Sequence, residues 1–393
     1  MGAYPHQAER LTAALELDGL AALVAATPAN VFYVTGYGRP SQAVDPPAEF
    51  FAVFTRRGTA LVVPAIEAPA VAGEPAEADH VVCYGAFVAG VGERRDERAR
   101  RVAAWVQEPA ADPAEGLARA LDALSIGRGR VGLDAEGAPE ATRRRLAERL
   151  PTLSLVDGTA ALARARAVKG PWEVDCLARA LGTAEEAVNE VFQMLKPGVG
   201  EREAATLYEA EVRKRGAEPF ATRILMGERS ALPAASPSGT TLQPGDLVRL
   251  EVGCVVRGYR SAVARTAVMG EPTALQEARH AAILAGAEAA IDATRHGISA
   301  GLVFDAAIRA VSEAGLPGYR RDHVGHGIGL CAVESPWLAP SSPATLETGM
   351  VLRVETVYVA SGWGGLGVAD TVLVTPKEAR VLNRSERGLI ILD

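Results

Sequence analysis

No run in this 393-residue chain reaches the roughly 18 to 20 consecutive apolar residues that a helix needs to cross a bilayer, so no membrane partner is expected. An excess of positive charge is missing too. The net charge of −7 argues against a general polyanion-binding surface, and nucleic acid is not an expected partner. The Arg-rich stretches at 93–101 and 143–149 are interleaved with Glu, Asp and Ala and read as solvated helix faces. Cysteine is scarce: Cys83, Cys176, Cys254 and Cys331 are widely scattered and form no CxxC pair. That usage fits reduced, mostly buried thiols in a cytoplasmic protein. The start, Met1-Gly2-Ala3-Tyr4-Pro5-His6, has no basic segment followed by an apolar core, so no signal peptide is expected.

What is present is a soluble, globular composition with 48% hydrophobic and 23% charged residues, in a chain too long for one ordinary core. Over the first 165 residues strands and helices alternate. Residues 8–17 read as an amphipathic helix and 21–25 as an apolar strand, followed by 30–36, 50–55 and 60–63; then 113–124 is helical, 130–133 extended and 139–150 helical. This predicts a small α/β domain over 1–165. From 166 to 393 the order is helix pair (173–195, 201–215), strands (247–256, 262–269), helix pair (273–296, 301–314), then strands (351–359, 371–375, 389–392). Such a crude internal repeat predicts an α+β domain with two similar halves around a central sheet.

Four segments carry more than pattern. Gln243-Pro244-Gly245-Asp246-Leu247-Val248-Arg249-Leu250-Glu251-Val252-Gly253 leads into Gly258-Tyr259-Arg260-Ser261-Ala262-Val263-Ala264-Arg265-Thr266. His323-Val324-Gly325-His326-Gly327-Ile328-Gly329-Leu330 follows, with Glu334-Ser335-Pro336 just after. Leu346-Glu347-Thr348-Gly349-Met350-Val351 runs into Glu355, and Gly367-Val368-Ala369-Asp370-Thr371 closes the set. In that order and spacing the segments resemble the creatinase, aminopeptidase P and prolidase family (peptidase M24). The resemblance implies an α/β N-terminal creatinase-like domain followed by an α+β pita-bread domain. It also implies a homodimer.

Metalloenzymes of that family hold two divalent ions on Asp, Asp, His, Glu and Glu. By resemblance the first Asp position is Glu251 here, the second is Ala262, the His is His326, the first Glu is Glu355 and the last is Ala369. Alanine offers no ligand, and the two lost residues are those that bridge both ions. No metal and no other cofactor is therefore expected, with a single ion on Glu251, His326 and Glu355 as the alternative. Two substrate-handling histidines of the family are replaced by Ala234 and Val333. These losses predict a roomier, less polar cavity, lined in part by Ala262 and Ala369.

The remaining Glu251, His326 and Glu355 are expected to converge and to support general acid–base catalysis, with one carboxyl raised in pKa by the other. Further candidates for substrate contact each have a plainer reading. His323 lines the pocket or holds a structural hydrogen bond. Glu334 meets a ligand or forms a loop salt bridge. Tyr259 and Arg265 touch substrate or belong to a core network. Glu228 and Arg229 recognise substrate or hold their loop. The Gly362–Gly367 stretch fits GxGxxG, but an extended segment follows it, so a turn is expected rather than a dinucleotide site. The expected function is a metal-independent hydrolase-type enzyme acting on a C–N bond of a small amino-acid-derived molecule, or a related cyclisation or elimination. A non-catalytic binding module is the alternative.

Overall fold

A computed structural model describes residues 5–38, 48–74, 76–87 and 96–393. Met1 to Tyr4 and positions 93–95 of the first Arg-rich stretch lie outside the described residues. The chain forms two compact units, Met1–Arg166 and Ala167–Asp393.

The first unit runs α1 (Pro5–Asp18), β1 (Ala22–Ala25), α2 (Pro28–Thr35), β2 (Phe51–Thr55), β3 (Gly58–Pro64), α3 (Ala68–Gly73) and β4 (His80–Tyr84). It continues with α4 (Glu97–Gln107), α5 (Pro113–Ala123), β5 (Gly129–Leu133), α6 (Glu140–Arg149), β6 (Leu153–Asp157) and α7 (Thr159–Ala167) at the boundary. The strands form one mixed sheet in the order β4-β3-β2-β1-β5-β6. Residues 30–36, grouped with the strands in the sequence reading, instead lie largely in α2. Pro28 pre-sets its first turn, and Gly36 ends it in the left-handed conformation at φ 70°. Val24, Val53, Val62, Leu117, Leu121 and Leu146 share the core under α5 and α6.

The second unit opens with α8 (Pro171–Met194) and α9 (Glu201–Lys214). The start of α8 is fixed locally: Pro171 occupies the first turn, and Glu173 accepts a 2.7 Å hydrogen bond from the Gly170 amide. Strands β7 (Glu218–Met226), β8 (Leu247–Val256), β9 (Tyr259–Arg260) and β10 (Val263–Met269) follow. Next come α10 (Ala274–Ala293), started by a Thr273/Gln276 capping box, and α11 (Ala300–Glu313). The remaining strands are β11 (Gly325–Gly327), β12 (Glu334–Trp337), β13 (Val351–Ala360), β14 (Gly364–Val374), β15 (Ala379–Val381) and β16 (Ile390–Leu392). The main sheet has the order β12-β11-β13-β14-β10-β8-β7. Gly362, at φ 76°, sits in the turn from β13 to β14, and a strand follows it.

Side-chain alternation gives this sheet two unlike faces. Val248, Leu250 and Val252 pack with Leu181, Ala184 and Val188 of α8, while Leu352, Val354 and Val372 pack with Ala290 of α10 and Val303 of α11. The intervening residues, Arg249 and Glu251 on β8 and Arg353 and Glu355 on β13, therefore point away from these helices. Burial also governs the cysteines. Cys83, Cys176 and Cys254 are buried free thiols whose pKa burial pushes up to about 11.

Candidate functional site

Cross-strand register builds the site. Arg223 of β7 is opposite Glu251 of β8, and Glu251 is opposite Ala264 of β10. Ala264 pairs with Ala369 of β14, which pairs with Glu355 of β13. One row thus crosses five strands with carboxylates at two positions and alanines between them. Strands lie about 4.8 Å apart, so β8 and β13 are separated by roughly 14 Å. Only side chains crossing the alanine floor can link the two carboxylates.

Arg353 does so. Its Nη2 donates to Glu251 Oε1 at 3.2 Å and forms an ion pair with Glu355 Oε2 at 2.9 Å. Three more guanidinium groups surround the pair. Arg223 Nη1 is 3.3 Å and Arg249 Nη1 3.6 Å from Glu251, and Arg321 Nη2 is 3.8 Å from Glu355. The Arg249 side chain is fixed by donating to the carbonyls of Ser230 at 2.6 Å and Leu232 at 2.9 Å. That contact depends on Gly365, whose missing Cβ would stand 2.1 Å from the Ser230 carbonyl. The expected roomier, less polar cavity is therefore corrected at the Ala369 position: a guanidinium spans the floor that Ala369 forms with Ala264.

The expected carboxyl pKa is corrected as well. Burial pushes Glu355 up, but the charges of Arg353 and Arg321, aided by His326 and His323, outweigh it and hold the carboxyl below its ordinary value. Burial likewise opposes the charge on Arg353, and Glu355 and Glu251 more than offset it, so its pKa is raised.

His326 lies on β11 opposite Arg353, and its Nδ1 is 2.9 Å from the Gly327 carbonyl. A carbonyl only accepts, so Nδ1 carries the hydrogen and the neutral ring keeps its lone pair on Nε2. Burial, followed by the nearby Arg353 charge, lowers the imidazole pKa despite the opposing Gly327 bond and Glu355. Gly325 permits this strand contact: at φ 149° it has no Cβ, which would fall 2.1 Å from the Arg353 carbonyl. His323 Nδ1 stands 3.6 Å from Glu355 Oε1, and the Trp337 ring meets both His323 and His326 edge-on.

The other sequence candidates fall elsewhere or stand empty of donors. Glu334 forms a buried 3.0 Å ion pair with Lys169 and accepts from the Cys331 amide. Tyr259 donates to Glu173 at 2.7 Å, and Arg265 pairs with Asp370 at 2.8 Å and donates to the Ala369 carbonyl. Both are buried within the core network. Arg229 is tied to Glu201 at 3.0 Å, whereas Glu228, Ala234 and Val333 are exposed. Ala369 is fully buried in the floor, and Ala262 is half-buried.

The two-unit fold defines a class, and likeness to known proteins names it. Residues 175–376 match metallopeptidase family M24, and residues 7–168 match the creatinase/prolidase N-terminal domain. The chain belongs to the M24 family. It is 31% identical over 340 residues to a probable dipeptidase PepE of Mycobacterium tuberculosis, covering 86% of each chain. It is 32% identical over 227 residues to an Xaa-Pro dipeptidase of Pyrococcus furiosus, covering 57% of this chain and 65% of that relative. Among solved structures, a dipeptidase PepE from Mycobacterium ulcerans is 25% identical with TM-score 0.79, covering 100% of both chains. An X-Pro aminopeptidase from Thermotoga maritima shares the fold at TM-score 0.80 and 21% identity, with 98% of this chain and 99% of that one covered.

The donors here do not fit the dinuclear centre that the family implies. Glu251 and Glu355 already face guanidinium groups, and four Arg charges surround two carboxylates. Among the described residues no group of three or more His, Cys, Asp or Glu side chains is placed to hold a metal ion.

Proposed function

We propose that this protein is a metal-independent, hydrolase-type enzyme acting on a C–N bond of a small amino-acid-derived molecule. The observation that carries this reading is Arg353, whose guanidinium lies 3.2 Å from Glu251 and 2.9 Å from Glu355 and claims the oxygens a metal would need. Family membership supports hydrolysis, because relatives are named dipeptidases.

The chemistry follows from the free lone pair on His326 Nε2. A water held there loses a proton to Nε2 as its oxygen attacks the carbon of the C–N bond. The surplus of guanidinium charge around the two carboxylates stabilises the negative charge that develops on the substrate oxygen. The imidazolium then returns the proton to the leaving nitrogen as the C–N bond breaks, while Glu355 favours the charged ring. Glu251 and Glu355 hold Arg353 in place throughout. A homodimer, and a cyclisation or elimination in place of hydrolysis, belong to the same proposal.

The test is turnover of dipeptides and amidino-substituted amino acids in the presence of a chelator. Cleavage should survive chelation and fall by about 100-fold or more in His326→Ala and Glu355→Gln. Cleavage restored only by added divalent ions, or unchanged in both variants, contradicts the proposal.

A further inference from the structure

Positive charge exceeds negative charge at this centre, and some of its donors have no partner. Arg223, Arg249, Arg321 and Arg353 surround Glu251 and Glu355. Two polar atoms beside Glu355 are buried without a hydrogen-bond partner: Arg353 Nε and His323 Nδ1. Leaving a buried polar atom unsatisfied costs about 1–3 kcal/mol, so such groups point to something that completes them. Arg353 is 8% exposed, which keeps bulk water from filling that role freely. Arg321 stands ready at the same end. Its Nη2 is 3.8 Å from Glu355, too far for a hydrogen bond, and its side chain retains 23% exposure. Trp337, 43% exposed, provides an apolar wall against both histidines.

We propose that the Glu355 end of this centre binds an oxyanion of the substrate, a carboxylate, on Arg321, Arg353 and His323. The place where metalloenzymes of the family hold cations would here hold an anion. A planar carboxylate matches the parallel N–H groups of a guanidinium fork, and charge-assisted bonds of this kind are roughly twice as strong as neutral ones. Trp337 would then cover the aliphatic part of the ligand. The inference rests on reading this centre as the substrate site, but it does not depend on which bond is broken.

Calorimetric titration of the full chain at constant ionic strength tests it, with succinate, inorganic phosphate and neutral succinamide as probes. Succinate should bind saturably while succinamide does not, and Arg321→Gln should weaken succinate by about 10-fold or more, with Arg321→Lys recovering part. Glu251→Gln should tighten succinate several-fold, because it removes a carboxylate competing for Arg353; a metal site would lose affinity for its ion in the same variant. Phosphate binding more tightly than succinate, with the same Arg321 dependence, keeps the oxyanion centre but makes its source a phosphoryl group and overturns the carboxylate assignment. No saturable binding of either anion, or binding unchanged in Arg321→Gln, overturns the proposal. His326→Ala should retain succinate binding, so loss of turnover there separates failure of the hydrolytic reading from failure of this one.

Discussion

Arg353 and Glu355 lie two residues apart on β13, share one face of the sheet and form a 2.9 Å ion pair. The same spacing recurs on β8, where Arg249 stands 3.6 Å from Glu251. Each half of the unit thus presents an Arg-x-Glu segment to one centre, and Arg353 links the two.

Removing that link should be costly. Arg353→Met leaves two carboxylates facing each other across the alanine floor without their shared cation, and breaking a buried pair costs about 3–5 kcal/mol. Urea unfolding is expected to show that loss, and Arg353→Met/Glu355→Leu should regain part of it. Equal stability of Arg353→Met and the parent would mean that the bridge is absent in solution.

The alanine floor should be intolerant of bulk. Ala264 is 3% exposed and lies between the carboxylates, with Gly367 and the Arg249 side chain beside it. Ala264→Leu is expected to cost about 1–3 kcal/mol through overpacking and to displace Arg353. A crystal structure of the variant with Arg353 unmoved would refute this.

The Lys169–Glu334 pair should act on stability alone. Both side chains are almost fully buried, at 1% and 3% exposure. Glu334→Gln is expected to destabilise by about 3 kcal/mol while leaving succinate affinity unchanged. A large change in affinity at full stability would return Glu334 to the ligand site.

Acid stability should carry a signature from a group outside this row of residues. His280 on α10 is buried, and burial pushes its pKa down to about 4. The unfolded chain takes up a proton near pH 6.5, whereas the folded chain resists until about 4. Stability contributed by the neutral ring is therefore complete above about pH 6.5 and lost as pH falls through that window, with a slope of up to about 1.4 kcal/mol per unit. His280→Met should flatten the slope in denaturant titrations between pH 7 and 4.5; an unchanged slope would assign it to other groups.

Much of this architecture was legible in the sequence because its signals are local. The helical stretches 173–195 and 273–296, the strands 247–256 and 351–359, and the ordered motifs around His326 and Glu355 all lie within short windows. The segment around residue 30 was harder, since a short apolar run fits helix or strand equally well. In the site, Ala262 and Ala369 read as missing ligands, but an alanine does not say which side chain takes the space beside it. The Arg-x-Glu spacing at 249–251 and 353–355 was visible and, at strand period 2, already placed each Arg on the face of its Glu. Arg223 and Arg321 offered no such signal. Their positions depend on strand pairing and on a loop, which one sequence does not specify.

The proposal that the guanidinium bridge replaces a metal centre is tested most directly by the metal content of the purified, untagged protein after dialysis against divalent ions without chelator. The expected result is far less than one ion per chain, unchanged in His326→Ala. A stoichiometric ion that is lost in His326→Ala would contradict the bridge and would mean that Glu251, His326 and Glu355 ligate a metal after all.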